Sequence, residues 1–380
     1  MTMLEMTLWG IVGAYLVWRF ARLPVGITPL VILINGLSGF VIPKVHTGRR
    51  TPAVKITDDM RYPVTTPPPN TGNLHGEIEY LDGDIPVTHW YQEARGSTYH
   101  FVTAGDPAKE AILIVPGLPE SWWAFHHQIA DLSQDYYVVA IDMKGYGQSD
   151  KRLHLDYTNP GMALDVAELM DKLEIDRFNI MGHDRGTVLT DHLTNVPTLK
   201  GRIIRYVRMQ QSFNEPHGEP VPPHHILKTK FGAALFKSKN FIPIIYQAWF
   251  PSNLSDACLQ RLEYEFKFKG TGEAISKYFE TTNFDIEIKD REDYLFKSMD
   301  MPMLMLQAWY DRGQHPEEYD RSPEFVADAR VQFIHANHFL HLENPVATNR
   351  AIRRFFAETT VSSNASTEEG VEDLQLEEAL

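Results

Sequence analysis

The sequence holds a single cysteine, Cys258, among 380 residues. That scarcity excludes any internal disulfide and any zinc site built from several thiolates. Positive charge is also short, with 36 Lys and Arg against 50 Asp and Glu and a formal net charge of −14. Nucleic-acid binding needs clustered Lys and Arg, so this balance argues against a phosphate backbone as partner. Beyond Arg354 only acids remain charged, seven of them, so half of the excess lies at the carboxyl end. Residues 359–380 read as a solvated acidic tail. No internal repeat is visible. What is abundant is apolar: 43% hydrophobic and 11% aromatic content is enough for a sizeable buried core.

The amino-terminal residues form two uncharged runs, 6–18 and 23–43. The second, at 21 residues, is long enough to span a bilayer, and the first, at 13, is not. Pro29 and Asn35 weaken the second as a straight helix, so an interfacial or re-entrant hairpin is the alternative, and an extra buried helix is the blander one. Arg19 and Arg22 follow the first apolar run rather than precede it, which argues against a cleaved signal. Lys44, Arg49 and Arg50 after the second run place the rest of the chain on the cytoplasmic face, at the endoplasmic reticulum in a eukaryote. We therefore expect a lipid-contacting anchor over residues 1–50 and a proline- and threonine-rich linker over 51–74.

From there short β-rich runs alternate with helical periodicity. Residues 85–91 and 98–103 read as a hairpin, and "AILIV" (111–115) and "YYVVAI" (136–141) as strands buried on both faces. Met162, Ala163, Val166, Leu169, Met170 and Leu173 recur at helical spacing. Further strands are expected at 178–181, 203–209, 303–309 and 331–334. The pattern predicts an α/β fold with a mostly parallel sheet covered by helices, its core in residues 75–211 and 301–358. Residues 212–300 break the rhythm and read as an inserted helical cap.

Ligands of such sheets bind outside the carboxyl ends of the strands. Those ends carry Pro116 to Pro119, "GHDRG" (182–186), Asp311, and a segment holding His335, His338 and His341. Gly182 and Gly186 permit a strained strand-to-helix turn that lifts Asp184 to the sheet edge. A carboxylate there can attack a saturated carbon, displacing oxygen or halide and leaving an ester that water must cleave. That second step needs a histidine held by an acid. The order nucleophile, acid, histidine is satisfied by Asp184, Asp311 and His338. Backbone N–H groups of Leu118 and Arg185 are positioned to serve as the oxyanion hole.

These residues resemble the α/β-hydrolases, and within them the branch of epoxide hydrolases and dehalogenases that use an aspartate nucleophile. "PGLPESWWAF", "DMKGYGQSD", "GHDRG", "PMLMLQAWYD" and "NHFLHLENP" are similar to the branch's motifs, and the last selects His338 over His335 and His341. The resemblance covers about three-quarters of the chain and implies no metal or organic cofactor. It also implies two cap tyrosines that donate to an epoxide oxygen, matched here by Tyr246 and Tyr278. Pro116 replaces a histidine that supports the oxyanion loop, and Lys144 and Asn337 replace an arginine and a glycine. Arg185 stands where many relatives carry tryptophan. It resembles the residue with which fluoroacetate dehalogenases bind a carboxylate, although their second arginine, three positions on, is Val188 here. The expected activity is hydrolysis of a lipophilic epoxide to a diol, with water as co-substrate. A haloacid dehalogenase or a catalytically silent scaffold are the alternatives.

Overall fold

The computed structural model describes residues 74–213, 224–237, 241–250, 252, 254–266, 268–311, 314, 319 and 322–360. The expected anchor, nearly all of the linker and the tail beyond residue 360 lie outside the described residues. Among the described residues no helix is long and apolar enough to cross a membrane.

Nine strands form one sheet: β1 (Ile78–Leu81), β2 (Ile85–Ala94), β3 (Ser97–Ala104), β4 (Ala111–Val115), β5 (Tyr137–Ile141), β6 (Phe178–His183), β7 (Ile203–Met209), β8 (Met303–Ala308) and β9 (Ala329–Ile334). Their spatial order is β1-β2-β3-β5-β4-β6-β7-β8-β9. The first three run antiparallel, β3 pairs antiparallel with β5, and the remaining pairs are parallel. The expected hairpin is longer than its apolar pattern showed, because Arg95 and Gly96, both at positive φ, close a two-residue turn opposite the Ala94–Ser97 pair.

Strands β4, β6 and β8 are buried at every residue, which requires cover on both faces. That cover comes from α1 (His126–Leu132), α2 (Asn159–Lys172), α3 (Arg185–Leu193) and, at the carboxyl end, Pro345–Thr360; α2 packs on α3, and α1 on the last helix. The start of α2 is fixed by Thr158, whose side chain accepts from Gly161 N–H, and by a proline in its first turn.

Between β7 and β8 the chain forms the helical cap, with α4 (Lys230–Lys237), a π-helical turn (Ile244–Trp249), α5 (Asp256–Phe266), α6 (Thr271–Thr281) and α7 (Phe284–Asp293). A Cβ on Gly272 would lie 2.3 Å from the Ala233 carbonyl, so glycine lets α6 close on α4. The cap is held to the core by buried polar contacts. Arg261 of α5 pairs with Glu79 of β1 at 2.7 Å, Thr281 donates to the Tyr157 carbonyl at 3.0 Å, and Asn159 donates to Thr282 at 3.2 Å.

Candidate active site

Asp184 occupies the turn between β6 and α3 at φ 46° and ψ −116°, a conformation that costs a non-glycine residue energy and persists only when its surroundings impose it. They do so by close approach. A Cβ on Gly186 would lie 2.2 Å from the Val115 carbonyl, and one on Gly182 would lie 2.5 Å from Thr190 Oγ1, so no larger residue fits on either side. Asp184 N–H donates to the Met209 carbonyl of β7 at 3.1 Å, which fastens the turn to the next strand.

The carboxylate is divided between two environments. Oδ2 accepts from Leu118 N–H at 3.0 Å. Oδ1 accepts from Gln211 Nε2 at 3.3 Å and lies 3.9 Å from His338 Nε2. That last distance is no hydrogen bond, but one water can touch both groups across it. His338 Nδ1 donates to Asp311 Oδ2 at 2.9 Å, leaving Nε2 directed toward Asp184. Asp311 also accepts from Gln210 Nε2 at 2.7 Å, and the same amide donates to the His338 carbonyl at 3.1 Å. Phe250 of the cap stacks on the imidazole, with ring centroids 4.1 Å apart. Burial opposes charge on His338, but the carboxylates of Asp311, Asp184 and Glu120 outweigh it and raise its pKa to about 9.

Beneath these groups, the Pro116 departure finds its physical answer. The loop after β4 rests on Glu120, whose Oε2 accepts from Gly117 N–H at 2.5 Å and lies 3.0 Å from His183 Nδ1. His183 Nε2 in turn lies 2.9 Å from the His338 carbonyl, so one buried acid connects the loop to the His338 backbone. His341 Nε2 lies 3.0 Å from the other Glu120 oxygen. Burial raises the Glu120 pKa, yet the two histidines together hold it well below the carboxylate range. Among the described residues, Glu120, His183 and His341 are the one group close enough to share a metal ion. Its Glu120 Oε2 and both nitrogens of His183 are already engaged in hydrogen bonds within the protein. The motif acid Asp142 is structural as well, accepting from Trp122 N–H, Gln148 N–H and His100 Nδ1.

The two cap tyrosines differ. Tyr278 of α6 is fully buried and its hydroxyl donates no hydrogen bond among the described residues, the Asn159 amide being the donor that faces its oxygen. Burial lifts its pKa well above the ordinary phenol value; Arg185 works against that, while Glu287 and Asp184 add to it. Tyr246, also buried, stacks on Phe339 at 3.9 Å and reaches the Pro119 carbonyl at 3.5 Å. A third phenol, Tyr146, escaped the sequence reading although it sits inside a quoted motif. Its hydroxyl is buried and unpartnered, and burial followed by the fields of Tyr278 and Asp184 raises its pKa. Its neighbour Gly145 approaches α6 so closely that a Cβ there would lie 3.2 Å from Ala274 Cβ.

Arg185 does not face the site as an open cation. Its guanidinium makes a bidentate pair with Glu287 of α7, at 2.7 and 2.8 Å, with side-chain exposures of 4% and 1%. Glu287 also accepts from Thr282 Oγ1 at 2.6 Å. Nothing in the sequence singled out Glu287, which lies 102 residues from its partner.

The comparisons with known proteins agree with this architecture. A family model for the alpha/beta hydrolase fold matches residues 110–194. A Mus musculus protein named epoxide hydrolase 4 is 33% identical over 105 residues, which is 27% of this chain and 29% of that protein. The chain spans about three tenths of the length of the curated relatives it matches. Among solved structures, the Cif epoxide hydrolase from Acinetobacter nosocomialis superposes with a TM-score of 0.61 at 19% identity, covering 73% of this chain and 90% of that one. A haloalkane dehalogenase from Bradyrhizobium elkani does so with a TM-score of 0.61 at 16% identity, covering 73% and 99%. This protein has the α/β-hydrolase fold and is epoxide hydrolase-like in sequence over part of its length.

Proposed function

We propose that this chain hydrolyses a lipophilic epoxide to a diol through a covalent ester on Asp184. The observation that carries the reading is an aspartate at a strained elbow facing a histidine–aspartate pair, beneath a buried phenol with its hydrogen uncommitted. Asp184 Oδ1 attacks a ring carbon as the carbon–oxygen bond breaks, and the departing oxygen takes a hydrogen bond and then a proton from Tyr278, with Tyr246 as second donor. His338 Nε2 removes a proton from water, which adds to the ester carbonyl. The resulting oxyanion is held by the N–H groups of Leu118 and Arg185. Collapse expels the diol oxygen, which takes the proton held by His338, and the second proton of the water, left on the Asp184 carboxyl, passes to the Tyr278 phenolate, so that carboxylate and phenol both return.

Esterification neutralises Asp184 and so removes one of the three carboxylates that keep His338 charged. The base is thereby released when it is needed. Halide displacement from a haloacid is the second reading, and the engagement of Arg185 by Glu287 weighs against it. The apolar residues 1–50 are proposed to hold the enzyme at the cytoplasmic side of a membrane, where such substrates partition; release of the full chain by carbonate washing would refute that placement. For the activity the test is His338→Ala with an aryl epoxide. An adduct of substrate mass on Asp184 with no diol supports the mechanism. Absence of adduct from His338→Ala and of diol from the wild type, across a broad epoxide panel, overturns it.

A further inference from the structure

We propose that Glu287 is a specificity-determining residue, a resident carboxylate that occupies Arg185 beside the nucleophile and so reserves the site for uncharged substrates. The inference rests on Asp184 being the nucleophile. Arg185 follows Asp184 directly and begins α3, and its guanidinium lies close enough to Tyr278 and Asp184 to be acted on by both. A planar guanidinium presents two parallel N–H groups to one carboxylate, and here both are taken, at 2.7 and 2.8 Å. Thr282 fixes one Glu287 oxygen at 2.6 Å and is itself held by Asn159 of the core, so the acid is preorganised from two directions. A substrate carboxylate taking that same fork would displace Glu287 and leave it buried without its cation, which is strongly disfavoured.

The surroundings show what happens if the acid is neutralised. Arg291, one turn further along α7, is 3% exposed, and its Nε and Nη1 have no hydrogen-bond partner among the described residues. Arg208 is already paired with Asp191 at 2.8 Å. Removing the charge of Glu287 therefore leaves the Arg185 and Arg291 guanidinium groups in one buried region where the carboxylate that remains beside Arg291, Asp191, is already paired with Arg208. An anion entering from solution would supply what the resident acid supplies in the wild type. This differs from a purely structural ion pair, whose loss would weaken the fold without changing which substrate charge is accepted.

The test compares oxirane-2-carboxylate with its methyl ester, which is nearly the same shape without the charge. Wild type should prefer the ester in kcat/KM by ~100-fold or more, and Glu287→Gln should raise the acid-to-ester ratio at least ~10-fold. A second readout needs no turnover: acetate should raise the Tm of Glu287→Gln, and should leave wild type and the double variant Arg185→Met with Glu287→Leu unmoved. Equal acid and ester turnover by wild type overturns the proposal even if Glu287→Gln does not fold. So does a folded Glu287→Gln with an unchanged ratio and no acetate response. If no variant opens any epoxide but acetate still stabilises Glu287→Gln alone, the activity reading fails while the anion-exclusion role stands.

Discussion

Gln210 donates to Asp311 at 2.7 Å from a backbone held at φ 53°, at the point where β7 ends and the chain turns toward the cap. Its amide also reaches the His338 carbonyl and its oxygen accepts from Ala308 N–H, so one side chain fixes both Asp311 and the His338 backbone. We predict that Gln210→Leu slows ester hydrolysis ~10- to 100-fold while ester formation persists, as loss of an orienting partner does elsewhere. Rapid-quench mass spectrometry should find the adduct accumulating; equal loss in both half-reactions would refute this.

The ester mechanism fixes where the oxygen of water goes. In one turnover in ¹⁸O-labelled water, the label should enter Asp184 and not the diol, because water adds to the ester carbonyl and the original carboxylate oxygen leaves with the product. Label appearing first in the diol would mean direct attack of water on the epoxide.

His338 carries the pH dependence. Its pKa of about 9 exceeds the ordinary 6.5, so in the free enzyme the charged form dominates at neutral pH. Hydrolysis of the preformed ester should show a midpoint below 9, because the Asp184 charge is gone. A raised pKa also contributes stability that is complete below pH 6.5 and is lost as pH rises through 9. The Tm advantage of wild type over His338→Gln should shrink across that window, and a constant gap would contradict the assignment.

The two tyrosines should separate in kinetics. Tyr278 has an uncommitted hydroxyl hydrogen, so Tyr278→Phe should reduce ester formation ~100-fold, within the range of general-acid contributions. Tyr246 already leans on the Pro119 carbonyl, so Tyr246→Phe should cost less, on the order of 10-fold. Pre-steady-state alkylation rates decide between them.

Breaking the buried Arg185–Glu287 pair from one side strands a charge. Arg185→Met should destabilise by ~3–5 kcal/mol, and adding Glu287→Leu should restore most of it, since two apolar residues can replace such a pair. Urea unfolding of the four proteins of the cycle measures the coupling.

The sequence revealed those parts of the fold whose signal is local. Strands β4, β6 and β8 are continuous apolar runs, and they lie within a residue or two of where periodicity placed them. Strand β1 was invisible because only Leu81 of its four residues is buried, and the helix Pro345–Thr360 was not separated from the final strand end. At the site, turn chemistry and strand-end position point to Asp184, Asp311 and the segment holding His335, His338 and His341, the motif resemblance selects His338 among these, and the structure brings Asp184, Asp311 and His338 together. Glu287 and Gln210 escaped because their meaning comes from partners about a hundred residues away. A charged residue in the polar segment "FDIEIKDRED" gives no local reason to be buried.

Cys258 acquires a different meaning in this setting. It is 4% exposed on α5, and burial pushes its thiol up to about 12. Thiolates, not thiols, are the strong nucleophiles toward strained rings. On the proposed mechanism the lone thiol thus stays protonated and out of reach of the electrophile, so that alkylation falls on Asp184, the residue whose ester His338 and water can undo.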